Sequence, residues 1–166
     1  MPGIRMEVED KEFEKFKKTI RNLEGFDREG LNQVLGEAVR SSTRQRFKDE
    51  EDPKGKKWKK SIRAAEEGGQ TLTDSTDLKN SIHSKANSEG FVVGTNKVYA
   101  GTHQKGGKFT IRAKNKPYLK FIYNEKWVSK KEVDIDMPKR EFLGISKEDM
   151  EEIKATMEEA IQEYIE

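Results

Sequence analysis

The chain has 166 residues and a net charge of +2 at neutral pH; 39% of its residues are charged, 32% are hydrophobic and none is cysteine. This length fits one domain, and a hydrophobic fraction below that of typical globular proteins predicts a small core that contacts between subunits would complete. The lack of cysteine excludes disulfides and thiolate metal sites, and the lack of any apolar run near about 18 residues leads us to expect no membrane span.

Charge is distributed unevenly along the chain. Residues 44–63 and 97–140 are basic, with nine positive against four negative charges in the first range and twelve against four in the second. Residues 141–166 are acidic, with nine negative charges against two positive. Such asymmetry favours binding to nucleic acid or head-to-tail contact between copies of one chain, and it is also consistent with a merely solvated surface.

The N-terminal third is predicted to be mostly helical. Apolar and polar residues alternate over residues 4–8, which predicts a short half-buried strand. Apolar residues at steps of three and four over residues 13–23 predict an amphipathic helix that ends at Gly25. A longer helix begins near Asp27, whose carboxylate is a good N-cap, and runs to about Phe47.

Two polar loops separate these helices from the second half of the chain. Pro53 and Gly55 break the long helix within a loop near residues 50–57, and we expect Trp58 to anchor that loop to the core. Residues 64–77 are small and polar, which predicts a second, mobile loop.

The second half is predicted to contain most of the strands. Residues 90–95 have the composition of a buried strand, and residues 116–140 that of two or three strands with a hairpin turn at Asn124. A basic hairpin is predicted near residues 105–117, and a C-terminal amphipathic helix begins with the capping box SKED. We therefore predict a single α+β domain over residues 1–166. In it, a small, mostly antiparallel sheet packs with the long helix of the N-terminal half and with the C-terminal helix.

The sequence offers few catalytic options. His83 and His103 have no metal-type spacing of ligands around them, and no serine lies in a G-x-S-x-G elbow. The stretch GTHQKGGKF has the glycine spacing of a phosphate loop, but Lys108 comes one place too late and no Ser or Thr follows it. His103 has no evident catalytic partner, so a packed or hydrogen-bonded structural role is the preferred interpretation.

Two features keep an enzyme or a nucleic-acid-binding protein open as the alternative. Asp134 and Asp136 would share one face of a strand, and with His103 they would form a metal-dependent nuclease site. Basic residues between positions 105 and 116 interleave with Phe109 and Tyr118, a pattern that would bind a nucleic-acid backbone and stack bases. The same spacing is consistent with an exposed hairpin that docks on an acidic partner.

Four blocks of sequence carry a resemblance to a known family. The first joins the Arg-Phe pair at 46–47 to DPKGKKW, and the second is LTDSTDLKNSI at 72–82. The third runs from VGTN through YA to HQKGG, and the fourth is MPKREFLGIS at 137–146. Thr76 stands where the family has glycine, and Glu141 stands where it has a second proline. The motif residues given structural roles by the resemblance are Arg46, Phe47, Asp52, Pro53, Gly55, Trp58, Gly94, Tyr99, His103, Gln104, Gly106, Gly107, Pro138, Arg140, Phe142, Leu143 and Gly144.

With these blocks the chain resembles the phage virion morphogenesis family, which includes tail completion proteins of contractile-tailed phages and Mu-like proteins of prophages. The resemblance implies a non-enzymatic structural protein of the virion tail or neck, made in the cytoplasm of the bacterial host and needing no cofactor or metal. It would complete the head-proximal end of the tail and help it join the filled head. The implied partners are tail tube, terminator or connector proteins, and further copies of the chain in a ring such as a hexamer.

The resemblance also implies that the HQKGG stretch has a structural role rather than a catalytic or phosphate-binding one. We expect His103 and Gln104 to satisfy backbone groups, and Gly106 and Gly107 to let the chain reverse. In a ring, the basic middle of one copy would meet the acidic last helix of the next. The residues expected at that interface are Lys105, Lys108, Arg112, Lys114, Lys116, Glu151, Glu152, Glu158 and Glu159.

Overall fold

The computed structural model describes residues 10–123 and 126–166, so the strand predicted over residues 4–8 and the turn predicted at Asn124 lie outside the described residues. The elements in chain order are α1 (Lys11–Arg21), α2 (Arg28–Asp49), α3 (Ile62–Glu66), α4 (Asp77–Asn80), β1 (His83–Asn87), β2 (Gly90–Gly94), α5 (Ala100–Lys105), β3 (Gly107–Arg112), β4 (Leu119–Tyr123), β5 (Lys126–Lys130), β6 (Glu132–Met137) and α6 (Lys147–Ile165). Among these described helices, none is both long and apolar enough to cross a membrane.

Carboxylate caps explain where the first two helices begin. Asp10 accepts hydrogen bonds from the backbone N–H groups of Glu12 (2.9 Å) and Phe13 (3.0 Å), and α1 follows it. Asp27 accepts one from the N–H of Gly30 (2.8 Å), and α2 follows. Each bond satisfies an N–H group that has no partner inside the helix. The N-cap predicted for the long helix is thereby confirmed.

The strands pair in three two-stranded antiparallel ladders, β1–β2, β3–β6 and β4–β5. The β1–β2 ladder packs across α2, and Gly36 is the point of close approach. A Cβ at Gly36 would lie 3.3 Å from the Cβ atoms of both Ser84 and Phe91. The predicted α+β class with antiparallel pairing is confirmed, and the strands are divided among three ladders, of which β1–β2 makes the main contacts with α2.

The core consists of two apolar clusters that meet at Val93, which packs against both. The second cluster lies between α1, α2 and α6 and is formed by Ile20, Leu31, Leu35, Val39, Ile153 and Met157. The first cluster is formed by Phe47, Trp58, Leu78, Ile82, Ala100, Phe142 and Leu143. A core of this size agrees with the low hydrophobic content of the chain.

Residues 107–123 and 126–137 form a long two-stranded projection, and we call the segment 107–137 the arm. Its stem is the β3–β6 ladder, in which Gly107 lies opposite Met137 and Arg112 opposite Glu132. Its tip is residues 113–131, which contain the β4–β5 ladder. Every residue of β3 is exposed, so the arm is held by its own ladders rather than by the core.

The arm corrects the hairpin predicted near residues 105–117. That segment contains the end of α5, strand β3 and the connection to β4, and the strand partner of β3 is β6. The two partners are separated in sequence by the whole tip, which is why local turn signals did not reveal their pairing.

Side-chain hydrogen bonds to backbone N–H groups shape the two polar loops. In the first, Asp52 accepts hydrogen bonds from the N–H groups of Lys54 (2.8 Å) and Lys56 (3.0 Å) and so shapes the turn. In the second, α3 occupies the first residues, and the buried Thr71 donates its N–H to the Glu50 carboxylate (2.7 Å). The interaction joins the two loops.

Thr76 adopts a backbone conformation that suits glycine better. Its φ is 60°, in the left-handed region, and the resemblance had placed a family glycine at this position. A β-branched residue is strained there by about 1–2 kcal/mol because its Cβ crowds the following carbonyl oxygen. The Thr76 hydroxyl offsets part of this cost by accepting a hydrogen bond from the Asn80 side chain (3.0 Å).

Replacing Thr76 with glycine should therefore stabilise the protein. We expect Thr76→Gly to raise the free energy of unfolding by about 0.5–1 kcal/mol, as measured by urea denaturation, because relief of strain exceeds the lost hydrogen bond and the added freedom of the unfolded chain. Ser75→Gly is the matched control, since Ser75 is exposed, next in sequence and outside the left-handed region. Equal effects of the two changes would contradict this explanation.

Candidate functional site

An irregular segment over residues 138–146, which we call the strap, holds the motif regions together. The side chain of Gln104, from α5, is buried against it. Its Nε2 donates to the carbonyl oxygen of Leu143 (2.8 Å), and its Oε1 accepts from the N–H groups of Phe142 (3.0 Å) and Leu143 (3.0 Å). One amide side chain therefore satisfies three backbone groups that would otherwise be buried without partners.

A buried ion pair fixes the other side of the strap. The guanidinium of Arg46, from α2, pairs with the carboxylate of Asp149, from α6, and both side chains are only 6% exposed. Arg46 also donates to the carbonyl oxygens of Phe142 (3.3 Å) and Gly144 (2.8 Å). Asp149 accepts in turn from the N–H of Ser146 (2.8 Å), which completes the predicted capping box of α6. The pair therefore joins α2, the strap and α6.

Aromatic side chains pack beneath the strap. The ring centroid of Phe47 lies 5.6 Å from that of Trp58, and the two rings are nearly perpendicular. The centroid of Phe142 lies 5.2 Å from that of Phe47 on the strap side.

Two side-chain hydrogen bonds join the strap to the segment that contains Trp58. The Trp58 Nε1–H donates to the carbonyl oxygen of Glu141 (3.0 Å), and the Arg140 Nε–H donates to the carbonyl oxygen of Lys59 (2.8 Å). Trp58 thus anchors its loop to the core, as predicted.

Two glycines are required because backbone or ring atoms approach them closely. A Cβ at Gly106 would lie 2.6 Å from the backbone nitrogen of Lys139, and the φ of Gly106 is +67°. A Cβ at Gly144 would lie 2.1 Å from Cγ of Pro53. Gly106 thus lets α5 end against the strap, and Gly144 lets the first loop pack on it.

The four sequence blocks converge on this region. Every residue of the first core cluster belongs to one of the blocks, and Arg46, Gln104 and Arg140 are buried polar residues beside it. Asp52, Pro53 and Gly55 form the neighbouring turn, Gly94 ends β2 and Gly107 begins β3. The sequence predicts Asp149 as the third residue of a capping box, but it does not indicate that Asp149 pairs with Arg46.

Tyr99 and His103 are set apart from the buried motif residues. Tyr99 is substantially exposed, and its ring stands edge-on to that of His103 at 6.2 Å. The expectation that the His103 side chain satisfies a backbone group is wrong for Nδ1, which is buried and makes no hydrogen bond to a described residue. The carbonyl oxygen of His103 instead accepts from the N–H of Arg140 (2.8 Å). Partial burial is the main cause that lowers the pKa of His103, and the nearby positive charge of Arg140 lowers it further. The lowered pKa favours the neutral imidazole ring.

The stem of the arm has two chemically different faces. On one face, cross-strand pairs are polar: Lys108 lies opposite Asp136, and Arg112 opposite Glu132, with N–O distances of 3.8 and 3.0 Å. Of the predicted interface cations, these two are therefore already matched by carboxylates within the stem. The other face is apolar and consists of Phe109, Ile111, Val133, Ile135 and Met137.

A groove continues the apolar face of the stem at its base. It lies between the stem and the α3–α5 region, and Ile62, Leu72 and Tyr99 line it together with Ile135 and Met137. Ile62 and Tyr99 are well exposed. Pro138 and His103 also contribute to the lining. An apolar strip of this kind, outside the core, is the type of surface that binds another protein.

The tip of the arm combines basic charge with large apolar side chains. Trp127 and Ile122 lie opposite each other and are 75% and 62% exposed. Within the described residues, the lysines of the tip form no ion pair. They are Lys114, Lys116, Lys120, Lys126, Lys130 and Lys131. Lys114 and Lys116 were predicted from the sequence to lie at an interface, whereas Trp127 and Ile122 were not.

The predicted acidic surface lies on α6. Glu151, Glu152, Glu158 and Glu159 are all exposed, and none forms an ion pair with another described residue. Lys105 is exposed at the end of α5, away from the tip.

The nuclease alternative requires carboxylates that converge on a metal ion. Asp134 accepts a hydrogen bond from the Thr110 hydroxyl (2.6 Å), and Asp136 pairs with Lys108 across the stem. His103 and Asp136 line the same groove. Over residues 10–123 and 126–166, no three His, Cys, Asp or Glu side chains are grouped closely enough to hold a metal ion.

The molecule is thus an α+β protein with a core built from the motif residues and a β-arm that extends from it. Residues 8–162 match the model of the phage virion morphogenesis family. The chain belongs to that family, and its role is in phage virion morphogenesis. The comparison with curated proteins and the comparison with solved structures each found no match.

Loss of the Gln104 amide should destabilise the protein strongly. We expect Gln104→Leu to lower the free energy of unfolding by about 3 kcal/mol or more in urea denaturation, because two N–H groups and one carbonyl oxygen of the strap lose their partner in a buried site. Gln70→Leu is the control, because the Gln70 amide makes one exposed hydrogen bond, to the carbonyl oxygen of Lys48 (2.9 Å). A loss below about 1 kcal/mol in both variants would contradict the assigned role of Gln104.

Proposed function

We propose that this protein is a structural component of the virion tail or neck that completes the head-proximal end of the tail and helps join it to the filled head. The observation that supports this most is the arm, whose stem exposes an apolar face while the motif residues are used to build the core. A protein whose motif residues pack inward, and whose apolar residues are exposed on a projecting ladder, is suited to docking rather than to turnover.

The proposed partners are tail tube, terminator or connector proteins, and the proposed surface for them is the apolar face of the stem with the groove at its base. Phe109 and Ile111 are each about two-fifths exposed, at 38% and 42%. Burying them against a partner would contribute roughly 25 cal/mol per Å² of apolar area removed from water. The charged face of the stem is matched within itself, so it would remain in solvent.

We also propose that the protein works as a homo-oligomer, with a ring such as a hexamer as the expected form. The basic tip and the acidic α6 are different surfaces of one chain. Contact between unlike surfaces is heterologous, and repeated heterologous contacts close into rings when the rotation between copies permits.

A nucleic-acid-binding role is the second candidate, and one specific observation favours it. The tip presents lysines beside the exposed Trp127, a combination that would hold a backbone and stack a base. Binding of this kind would fall steeply with salt, since it releases counterions.

Deletion of the gene from a phage or inducible prophage that encodes this protein tests the proposal. We expect filled heads and separate tails in electron micrographs of the lysate, and infectious particles again when the wild-type chain is supplied from a plasmid. Complementation by a chain carrying Asp134→Asn and Asp136→Asn should succeed, because the proposal gives these carboxylates no catalytic task.

Two outcomes would contradict the proposal. One is a normal yield of joined particles without the protein. The other is cleavage of DNA by the purified wild-type protein with Mg²⁺ that the two Asp→Asn changes abolish. Salt-sensitive DNA binding without cleavage, together with normal particles, would favour the second candidate.

A further inference from the structure

One face of the arm's tip is both apolar and basic. Trp127 and Ile122 form a cross-strand pair, and the next pair along the ladder on that face is Ser129 with Lys120. Side chains two residues apart on paired strands share a face, so these four residues form one continuous surface. Its two large apolar groups are among the most exposed in the described chain.

A shallow groove between α1 and α6 has the opposite charge. Phe16 contributes from α1, while Ala155, Ile161 and Gln162 contribute from α6. Glu158 and Glu159 also line it, and both are exposed. The groove therefore offers apolar contact area beside two carboxylates that have no ion-pair partner among the described residues.

The stem leaves the charge of the tip uncompensated. Lys108 and Arg112 are paired with carboxylates on β6, whereas residues 113–131 contain six lysines and one acidic residue, Glu125. Charge that is not matched locally is available to attract an acidic surface over about a Debye length, roughly 8 Å at physiological salt. The α6 side of the groove is such a surface on the same chain.

We infer that the tip of one copy docks in the α1–α6 groove of a second copy, with Trp127 and Ile122 against Phe16 and Ile161 and the tip lysines beside Glu158 and Glu159. The inference rests on the proposed homo-oligomer and specifies its contact. Each copy offers one tip and one groove, so the contact is head-to-tail and can continue from copy to copy. It accounts for the exposure of both surfaces in the single chain.

A charge-exchange experiment tests the contact with purified protein. The tip variant carries Lys120→Glu and Ser129→Glu, which lie opposite each other on the face of Trp127, and the groove variant carries Glu158→Lys and Glu159→Lys. In sedimentation velocity at low salt, each variant alone should self-associate about ten-fold more weakly than the wild type, because attraction between the two surfaces becomes repulsion. Mixing the variants should restore association, since the acidic tip of one then meets the basic groove of the other.

The control reverses the same number of charges elsewhere. Glu66 and Glu67 are exposed at the end of α3, so Glu66→Lys with Glu67→Lys gives the same change in net charge outside the groove. This variant should associate like the wild type. Equal weakening by the control and the groove variant would overturn the inference, because it would attribute the effect to net charge.

A disulfide cross-link between two introduced cysteines gives a second, independent readout. The chain has no cysteine of its own that could form competing disulfides. Under mild oxidation, a mixture of Ser129→Cys and Gln162→Cys proteins should form a covalent heterodimer in greater yield than a mixture of Ser129→Cys and Ser75→Cys. Equal yields would overturn the inference, as would a wild-type protein that stays monomeric at its highest soluble concentration.

Binding to DNA is the competing outcome for the tip. Loss of affinity for a short duplex in the tip variant, with self-association unchanged, would overturn the inference in favour of nucleic acid. Since these measurements use the protein alone, they can contradict this contact while leaving the role in tail completion intact. Conversely, joined particles in the deletion mutant would contradict that role while leaving the contact standing.

Discussion

The backbone of the strap lies in the core without a strand partner, and this constraint organises the rest of the molecule. A buried peptide group needs a hydrogen-bond partner, and neither a helix nor a ladder supplies one at Phe142 and Leu143. The Gln104 amide supplies three such bonds, and Arg46 supplies two more to carbonyl oxygens on the other side. Segments far apart in sequence therefore depend on a few polar side chains.

The position of these side chains explains why the motif residues are of such varied types. The buried charge of Arg46 is neutralised by the carboxylate of Asp149, and that carboxylate is fixed in place because it also caps α6. Removing one partner of a buried ion pair leaves an uncompensated charge, a cost of about 3–5 kcal/mol. Polar, aromatic and glycine positions thus act as one unit around the strap.

The same arrangement leaves the arm outside the core. The arm leaves the core at Gly106, directly after the helix that carries Gln104, and returns at the strap. Both ends of the arm are therefore fixed by the most constrained part of the fold. The arm can therefore present its apolar face and its basic tip at a defined position without contributing to the core.

How far the sequence predicts this structure depends on the range of the interactions. The caps at Asp27 and Ser146 and the apolar stripe of α6 are local patterns, and they indicate the helices correctly. β1 was missed because its sequence, HSKAN, is polar, and it becomes a strand only by pairing with β2 on α2.

The arm and the strap were beyond prediction for a different reason. Strand β3 pairs with a partner across the whole tip, and its alternation of polar and apolar residues signals a strand but not which strand it joins. The contacts of Gln104 with the strap span 38 and 39 residues and follow no periodicity. The family resemblance indicated that these residues belong together, and the structure supplies the physical reason.

Thermal unfolding of a chain without its arm tests whether the strap-centred core holds the fold by itself. Lys108 and Asp136 lie opposite each other, so an Asn-Gly turn can replace residues 109–135 and close the ladder. Followed by circular dichroism, this chain should unfold in one cooperative transition, within a few degrees of the full-length protein. Loss of the cooperative transition would show that the core depends on the arm and would contradict the account.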